Sequence, residues 1–187
     1  MIKNKRDLDF YLESDRVSLK RDKKILKDTI WRFEICLRKL EYYHNTGNRL
    51  MEIIYKIMYR RLCGKTGFHI PINCCGPGLA LVHIGPVIIN QKSIVGENCR
   101  FQTGVTLGAT NGKCDAPCIG DNVFLSEGVK VIGGVRIADD VQLGANAVVV
   151  KDILEKGTTW GGVPAKKISN NSSRLNLIKG TEIVRAK

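Results

Sequence analysis

From Ile89 onward, a large apolar residue returns at every sixth position of the chain. The series is interrupted once and consists of Ile89, Val95, Phe101, Leu107, Ile119, Leu125, Val131, Ile137, Leu143 and Val149. Four places after these residues lie small or β-branched side chains such as Cys99, Val105 and Val123. Hairpin sheets alternate with a period of two, so a period of six predicts one short strand and one corner per repeat. Three such sides close one coil, and the stacked coils form a parallel β-helix filled by aliphatic ladders.

The sequence on either side of this repeat has a different character. Residues 1–67 are predicted to be an α-helical N-terminal segment, because apolar residues follow helical spacing within 6–19, 28–44 and 48–63. Residues 68–168 form the predicted β-helix domain, and residues 108–118 interrupt the repeat without breaking its count, as a loop extruded from one coil would. A cluster of glycines and a proline, residues 157–164, ends the repeat. Residues 169–187 are expected to be a polar C-terminal tail. The predicted fold class is therefore mainly β.

Positive charge is concentrated in the helical segment. Residues 1–68 carry 17 Lys and Arg against 9 Asp and Glu, which gives +8 of the formal net charge of +12. The helix predicted over residues 48–63 is apolar around much of its circumference and must bury against something. The candidates are a neighbouring helix, another subunit or, given its basic and aromatic flanks, the surface of a membrane. Most charge runs are solvated faces, and we expect no nucleic-acid partner.

The sequence also indicates a compartment. The N-terminus shows no signal peptide, and no apolar run reaches the roughly 20 residues needed to span a bilayer. The seven cysteines are irregularly spaced and odd in number, which favours a reducing environment over a disulfide framework. We therefore expect a cytoplasmic protein. The chain has three histidines and no cysteine cluster at zinc-site spacing, so we expect no metal.

Several segments resemble the hexapeptide-repeat acyltransferases. These are the repeat Ile119–Val123 and the terminal sequence Gly162–Lys166. The segments Gly78–His83, Val87–Asn90 and Gly104–Gly108 more closely resemble the serine acetyltransferase branch, which includes enzymes of capsule and exopolysaccharide clusters. The resemblance implies a left-handed β-helix, a homotrimer, and acetyl-CoA bound in the groove between neighbouring prisms.

The same resemblance suggests which residues contact acetyl-CoA. It places Gly144 and Ala145 along the pantetheine path and Lys166 or Lys167 near the nucleotide phosphates. Small residues let an extended ligand run close to the backbone, and lysine supplies a point charge to phosphate. A solvated terminal lysine pair is the alternative interpretation.

His83 is the candidate catalytic base. Counting back six residues from Ile89 places this imidazole in the register that downstream holds a large aliphatic side chain. A lone histidine is often structural, satisfied by backbone carbonyls, but this one lies in the segment that resembles the base-bearing segment of the family. Acetyl transfer to a hydroxyl needs proton removal during attack, a task for which imidazole is suited. The oxyanion would be bound by backbone N–H groups, and direct transfer is favoured over a cysteine intermediate.

Four positions depart from the serine acetyltransferase pattern. Those enzymes pair the base with an Asp where this chain has Phe68, and they place polar contacts to the amino acid where it has Val82, Asp115 and Ala116. Buried charges of a zwitterion need partners, so the sequence predicts a sugar or glycan hydroxyl as acceptor, with Phe68, Val82 and Asp115 lining its site. The alternatives are serine O-acetylation and, in another class, a non-catalytic or metal-dependent β-helix protein.

Overall fold

The computed structural model describes residues 1–21, 28–110 and 115–186. Three helices come first, α1 (Lys5–Ser18), α2 (Thr29–Asn45) and α3 (Arg49–Thr66). The predicted helices are thus present, and the third extends three residues beyond its predicted end. Asn4, Asp28 and Asn48 cap them, each accepting a backbone N–H of the first turn with its side chain. No described helix is long and apolar enough to cross a membrane.

Fourteen short strands follow the helices. Their bounds are β1 Phe68–His69, β2 Ala80–Leu81, β3 Val87–Ile89, β4 Ile94–Val95, β5 Arg100–Phe101, β6 Thr106–Gly108, β7 Cys118–Ile119, β8 Phe124–Leu125, β9 Lys130–Ile132, β10 Arg136–Ile137, β11 Gln142–Leu143, β12 Val148–Val149, β13 Thr159–Gly161 and β14 Lys166–Ser169. They form sheet A (β1-β3-β6-β9-β12), sheet B (β4-β7-β10) and sheet C (β2-β5-β8-β11-β13-β14). All pairs are parallel except β13 with β14. This is the predicted three-sided parallel β-helix.

The six-residue ladder fills the interior of the prism. In sheet C the inward row is Leu81, Phe101, Leu125 and Leu143, paired in that order. Their side chains are fully buried, as are those of the matching rows in the other two sheets. The small residues predicted at the corners are buried too, Cys99 and Val123 among them. Period, register and core therefore agree with the sequence prediction.

Carboxyl groups from the helices cap the open end of the first coil. A first coil has no preceding coil to bond its backbone N–H groups, and unpaired buried groups are costly. Here Asp15 accepts from Leu79 N at 2.9 Å, Glu34 from Leu81 N at 3.0 Å, and Glu41 from Asn73 N at 2.8 Å. The helical segment thus completes the terminal edge of the β-helix.

Arg38 completes the same cap from α2. Its guanidinium donates to the carbonyls of Cys75 and Gly76 at 2.9 and 2.7 Å, and to the carboxylates of Asp15 and Glu41 at 2.7 and 3.0 Å. All three charged side chains are essentially inaccessible to solvent. Removing one partner from such a network leaves an uncompensated buried charge, so the cap couples the helices tightly to the first coil.

The segment after Ser169 packs along the prism, where the sequence predicted only a polar tail. It forms a 3₁₀ helix, Ser173–Asn176, and a final helix α4, Gly180–Arg185. The hydroxyl of Ser173 donates to the carbonyl of Asn122, and Thr181 N donates to Asn98 Oδ1 at 3.0 Å. The chain end then reaches α1, where Gly180 N donates to Ser18 Oγ at 3.2 Å. This part of the chain therefore runs back along one edge of the β-helix to the helices.

Candidate active site

The candidate site lies on the edge of the prism where sheet C turns into sheet A. Four turns stack along this edge and join β2 to β3, β5 to β6, β8 to β9 and β11 to β12. We call them the corner column. Backbone bonds connect successive turns, with Gly104 N donating to Pro86 O at 2.6 Å and Gly128 N to Thr103 O at 2.9 Å. The column therefore offers a continuous path from the first coil to the last.

His83 lies on the first turn of the column, and its side chain is exposed. The span from Leu81 to Ile89 takes eight residues, whereas the equivalent spans from Phe101 to Leu107 and from Leu125 to Val131 take six. The first turn thus contains two additional residues. The predicted register for His83 is wrong for this reason: Leu81 occupies the inward position, and the imidazole projects from an enlarged corner.

The enlarged turn is held on both sides. Gly85 N donates to Thr66 O, at the end of α3, at 2.9 Å. On the other side Gly85 lies against the next turn, because a Cβ added there would come within 2.8 Å of Thr103 Cγ2. A glycine is therefore required at this contact, and its backbone fixes the chain two residues after His83.

Two polar residues of the column escaped the sequence analysis. Thr103 is part of the turn next to that of His83, and its hydroxyl donates to Glu127 Oε1 of the following turn at 3.4 Å. The Glu127 side chain is exposed. These residues point outward between the repeating core positions, so the six-residue period gave no signal for them. They place a hydroxyl and a carboxylate on the same edge as the imidazole.

The predicted acetyl-CoA residues lie toward the far end of the molecule. Gly144 and Ala145 form the last turn of the column, and Ala145 is exposed. A Cβ added to Gly144 would make only ordinary contact, its nearest neighbour being Trp160 O at 3.5 Å, so packing within the chain does not demand glycine there. The missing side chain leaves open surface beside the backbone.

A cleft of ≈ 310 Å³ lies on the last coil, on the side where β12 of sheet A leads to Ile153. Val149, Ile153, Trp160 and Ala165 contribute apolar surface to it, and Lys166 lies at its border. The cleft has a further cation, Lys151, which the sequence analysis missed. Lys167 is engaged elsewhere, because its ammonium is 2.6 Å from Glu155 Oε1. The structure therefore supports Lys166 more than Lys167 as a phosphate contact.

The three predicted acceptor contacts are not brought together within the chain. Phe68 is fully buried and packs edge-on against Phe33, with ring centroids 5.0 Å apart, so it belongs to the core and does not line an acceptor site. Val82 is half-buried beside His83. Asp115 lies against Gly134 on the edge between sheets A and B, at the opposite end of sheet A from His83. The remainder of the extruded loop, residues 111–114, lies outside the described residues.

No cluster of three or more His, Cys, Asp or Glu side chains suited to a metal ion occurs within 1–21, 28–110 and 115–186.

No established family profile matches the chain. Individual relatives do match it. A serine acetyltransferase of Helicobacter pylori (strain J99) is 39% identical over 99 residues, covering 51% of this chain and 57% of the relative. That of Synechococcus elongatus is 33% identical over 110 residues, covering 58% and 45%. The chain thus spans about half the length of the curated relatives it matches.

Solved structures match a larger share of the chain. The serine acetyltransferase of Neisseria gonorrhoeae in complex with serine superposes with a TM-score of 0.64 at 22% identity, covering 88% of this chain and 68% of that one. The enzyme of Brucella abortus in complex with coenzyme A gives 0.67 at 21% identity, covering 89% and 68%. This chain is a hexapeptide-repeat protein similar to the serine acetyltransferases. At these identities the structural match establishes the fold, a left-handed β-helix preceded by helices, as the sequence resemblance implied.

Proposed function

We propose that this hexapeptide-repeat protein is an acetyl-CoA-dependent O-acetyltransferase with His83 as its general base. The observation that carries the proposal is the exposed imidazole on the enlarged first turn of the corner column. The column continues from that turn to the small residues Gly144 and Ala145 in the last coil. Sequence similarity to serine acetyltransferases over about half of the chain supports the same reaction class.

The reaction proposed for His83 is direct transfer in a ternary complex. A ring nitrogen removes the proton from the acceptor hydroxyl as the hydroxyl oxygen attacks the acetyl carbonyl carbon. The thioester bond then breaks, and the imidazolium returns the proton to the departing thiolate. General base catalysis of this kind contributes about 10²–10⁴ to the rate. Binding both substrates along one edge of the prism supplies the effective concentration.

The residues at the far end of the column suit a CoA-like ligand. Acetyl-CoA supplies the acetyl group as a thioester. The open backbone at Gly144 and Ala145 allows an extended chain to lie close to the protein, as the resemblance implied. Lys166, together with Lys151, offers positive charge at the border of an apolar cleft, and these features fit phosphates next to an aromatic base.

A complete acceptor site requires a second copy of the chain. His83 and Asp115 lie at opposite ends of sheet A, so one protomer cannot bring both to the same acceptor. In a closed cyclic assembly the Asp115 edge of one prism can face the His83 edge of its neighbour. We therefore include the homotrimer in the proposal.

L-serine is the first candidate acceptor. The similarity to serine acetyltransferases favours it over the carbohydrate acceptor that the sequence analysis preferred. The exposed carboxylate of Glu127, in the same column as His83, is a possible partner for the ammonium group of an amino acid.

A carbohydrate hydroxyl is the second candidate. It is favoured by the apolar side chain of Val82 beside the base, which offers no charge to pair with a carboxylate. Leaving a carboxylate buried without a cation costs several kcal/mol. A neutral sugar avoids this cost.

A thiol-release assay with acetyl-CoA tests the proposal. The acceptors to compare are L-serine, free sugars, nucleotide sugars and capsule fragments. The relevant variant is His83→Ala, and the matched control is His44→Ala, which removes an exposed imidazole from the end of α2. We expect His83→Ala to lower kcat at least about a hundredfold with little change in acetyl-CoA affinity. The control should retain full activity.

The same assay assigns the acceptor. A kcat/KM for L-serine of about 10⁴ M⁻¹s⁻¹ or above, the ordinary enzymatic range, makes serine the acceptor and excludes the carbohydrate proposal. Near-normal turnover in His83→Ala removes this residue from the mechanism. Absence of thiol release with every acceptor favours a non-catalytic β-helix protein instead.

A further inference from the structure

Helix α3 presents an uncovered apolar face to solvent. Leu50, Ile53, Ile54, Ile57 and Met58 are between 41% and 71% exposed. They are spaced three and four residues apart and therefore lie on one side of the helix. Only Leu62 and Thr66 of α3 are fully buried. A patch of this kind on a protein surface usually marks an interaction site.

Basic residues border this apolar face. None of these basic residues forms an ion pair with another described residue. The set consists of Arg32 and Lys39 of α2 and of Arg49, Lys56, Arg60, Arg61 and Lys65 of α3. The one acidic residue of α3, Glu52, lies 2.8 Å from His44. The face therefore combines apolar surface with a set of uncompensated cations.

Two adjoining clefts between α2 and α3 repeat this combination. They measure ≈ 190 and ≈ 260 Å³ and share Arg32, Met58 and Leu62. Tyr55 contributes to the apolar floor of the first cleft, and Lys65 is on the rim of the second. An anionic headgroup with an acyl chain matches both the rim and the floor.

We propose that this α2–α3 face docks on an anionic lipid bilayer. A helix with an apolar face between basic flanks lies in the plane of the interface, with its apolar side chains among the acyl chains. Each Lys or Arg near an anionic surface adds about a factor of five to binding. The charges exclude the simplest alternative, a second copy of the face, because the same unpaired cations would then meet across the interface.

The position of α3 gives the docking a consequence for the candidate site. The last residue of α3, Thr66, accepts the backbone N–H of Gly85, two residues after His83. The end of α3 therefore connects the proposed docking helix to the turn that carries the imidazole. The docking itself does not depend on the proposed acetyl transfer.

Vesicle flotation of the full chain tests the proposal. The probes are vesicles of phosphatidylcholine alone and of equimolar phosphatidylcholine and phosphatidylglycerol. We expect binding to the mixed vesicles, weakened by added salt, and little binding to the neutral ones. Lys56→Gln with Arg60→Gln should reduce partitioning about thirtyfold. Ile53→Ser with Ile57→Ser should reduce it at least about tenfold.

The matched control is Ile168→Ser with Leu175→Ser, which removes two apolar side chains, both more exposed than Ile53 and Ile57, from the other end of the chain. It should bind as the unmodified protein does. Because all substituted residues are exposed, folding should be retained, and circular dichroism checks this. The proposal is overturned if the mixed vesicles are not bound, or if both α3 double variants bind normally. It is also overturned if Ile53→Ser with Ile57→Ser lowers the mass of the lipid-free protein, because a second copy then covers the face.

Discussion

Glu34 gives the sharpest stability prediction of this structure. Its side chain is fully buried in α2, Oε1 accepts Leu81 N at 3.0 Å, and Oε2 has no hydrogen-bond partner among the described residues. Burial raises the pKa of Glu34 well above its usual range, and the Asp15 carboxylate raises it further. The Leu81 N–H and the Arg38 guanidinium oppose this shift, and Asp28 adds to it. The folded protein therefore holds this carboxyl in its neutral form at pH values where the unfolded chain ionises it.

The sign of the pH dependence follows from that difference. A carboxyl with a raised pKa in the folded state binds more protons folded than unfolded, so stability falls as pH rises. The fall begins near the unfolded-state pKa of 4.5 and continues to the folded-state pKa. One proton corresponds to at most about 1.4 kcal/mol of unfolding free energy per pH unit. The loss from Glu34 accumulates over the pH range that separates the two pKa values.

Urea unfolding of Glu34→Gln between pH 5 and 8 measures this contribution. The glutamine can still accept Leu81 N, and it cannot ionise. We expect the variant to gain stability relative to the unmodified protein as pH rises, at up to about 1.4 kcal/mol per unit. Glu155→Gln, which alters an exposed glutamate, should show no such trend. Parallel pH profiles for Glu34→Gln and the unmodified protein would refute the reasoning, because Glu34 would then be ionised inside the fold.

Three further predictions concern the column and the assembly. Gly128→Ala should lower the free energy of unfolding by about 1–3 kcal/mol, because Gly128 has φ +74° and an added Cβ would collide with Asn146 Oδ1. Gly144→Ala should change the free energy of unfolding by less than about 0.5 kcal/mol. Gly144→Leu should weaken acetyl-CoA binding in calorimetry, and unchanged affinity would remove this residue from the ligand path. Light scattering should give the mass of three chains, and a fully active monomer would contradict an acceptor site shared between Asp115 and His83.

The interior of the β-helix was predictable from sequence because its residues repeat a physical requirement. Each inward position must fill the same space in every coil, so Phe101, Leu125 and Leu143 recur at fixed intervals and are buried as predicted. The outward residues of the corners meet no such requirement. Thr103 and Glu127 therefore carried no signal, although they share an edge with the candidate base.

The errors of the sequence analysis have a common cause in local insertions and non-local contacts. Counting back six residues from Ile89 reaches His83, but the first turn contains two additional residues. The inward core position of this coil therefore belongs to Leu81. Phe68 was assigned to an acceptor site from its place in the sequence, but Phe33 of α2 covers it. The contact of Thr181 with Asn98 joins residues far apart in sequence and has no local pattern. Burial by a distant segment is not encoded in spacing.

The enlarged turn occurs in the first coil, which has no coil before it. In the later coils of the corner column each turn is bonded to the turn before it, as Gly104 is to Pro86 and Gly128 to Thr103. The first coil is preceded by helices, which satisfy its edge through single side chains and chain ends. Glu34 bonds Leu81 before the turn, and Thr66 bonds Gly85 within it. These two contacts fix the chain on either side of His83, and neither sets the number of residues between them. The imidazole can therefore project from the prism while the inward aliphatic residues of the coils stay in register.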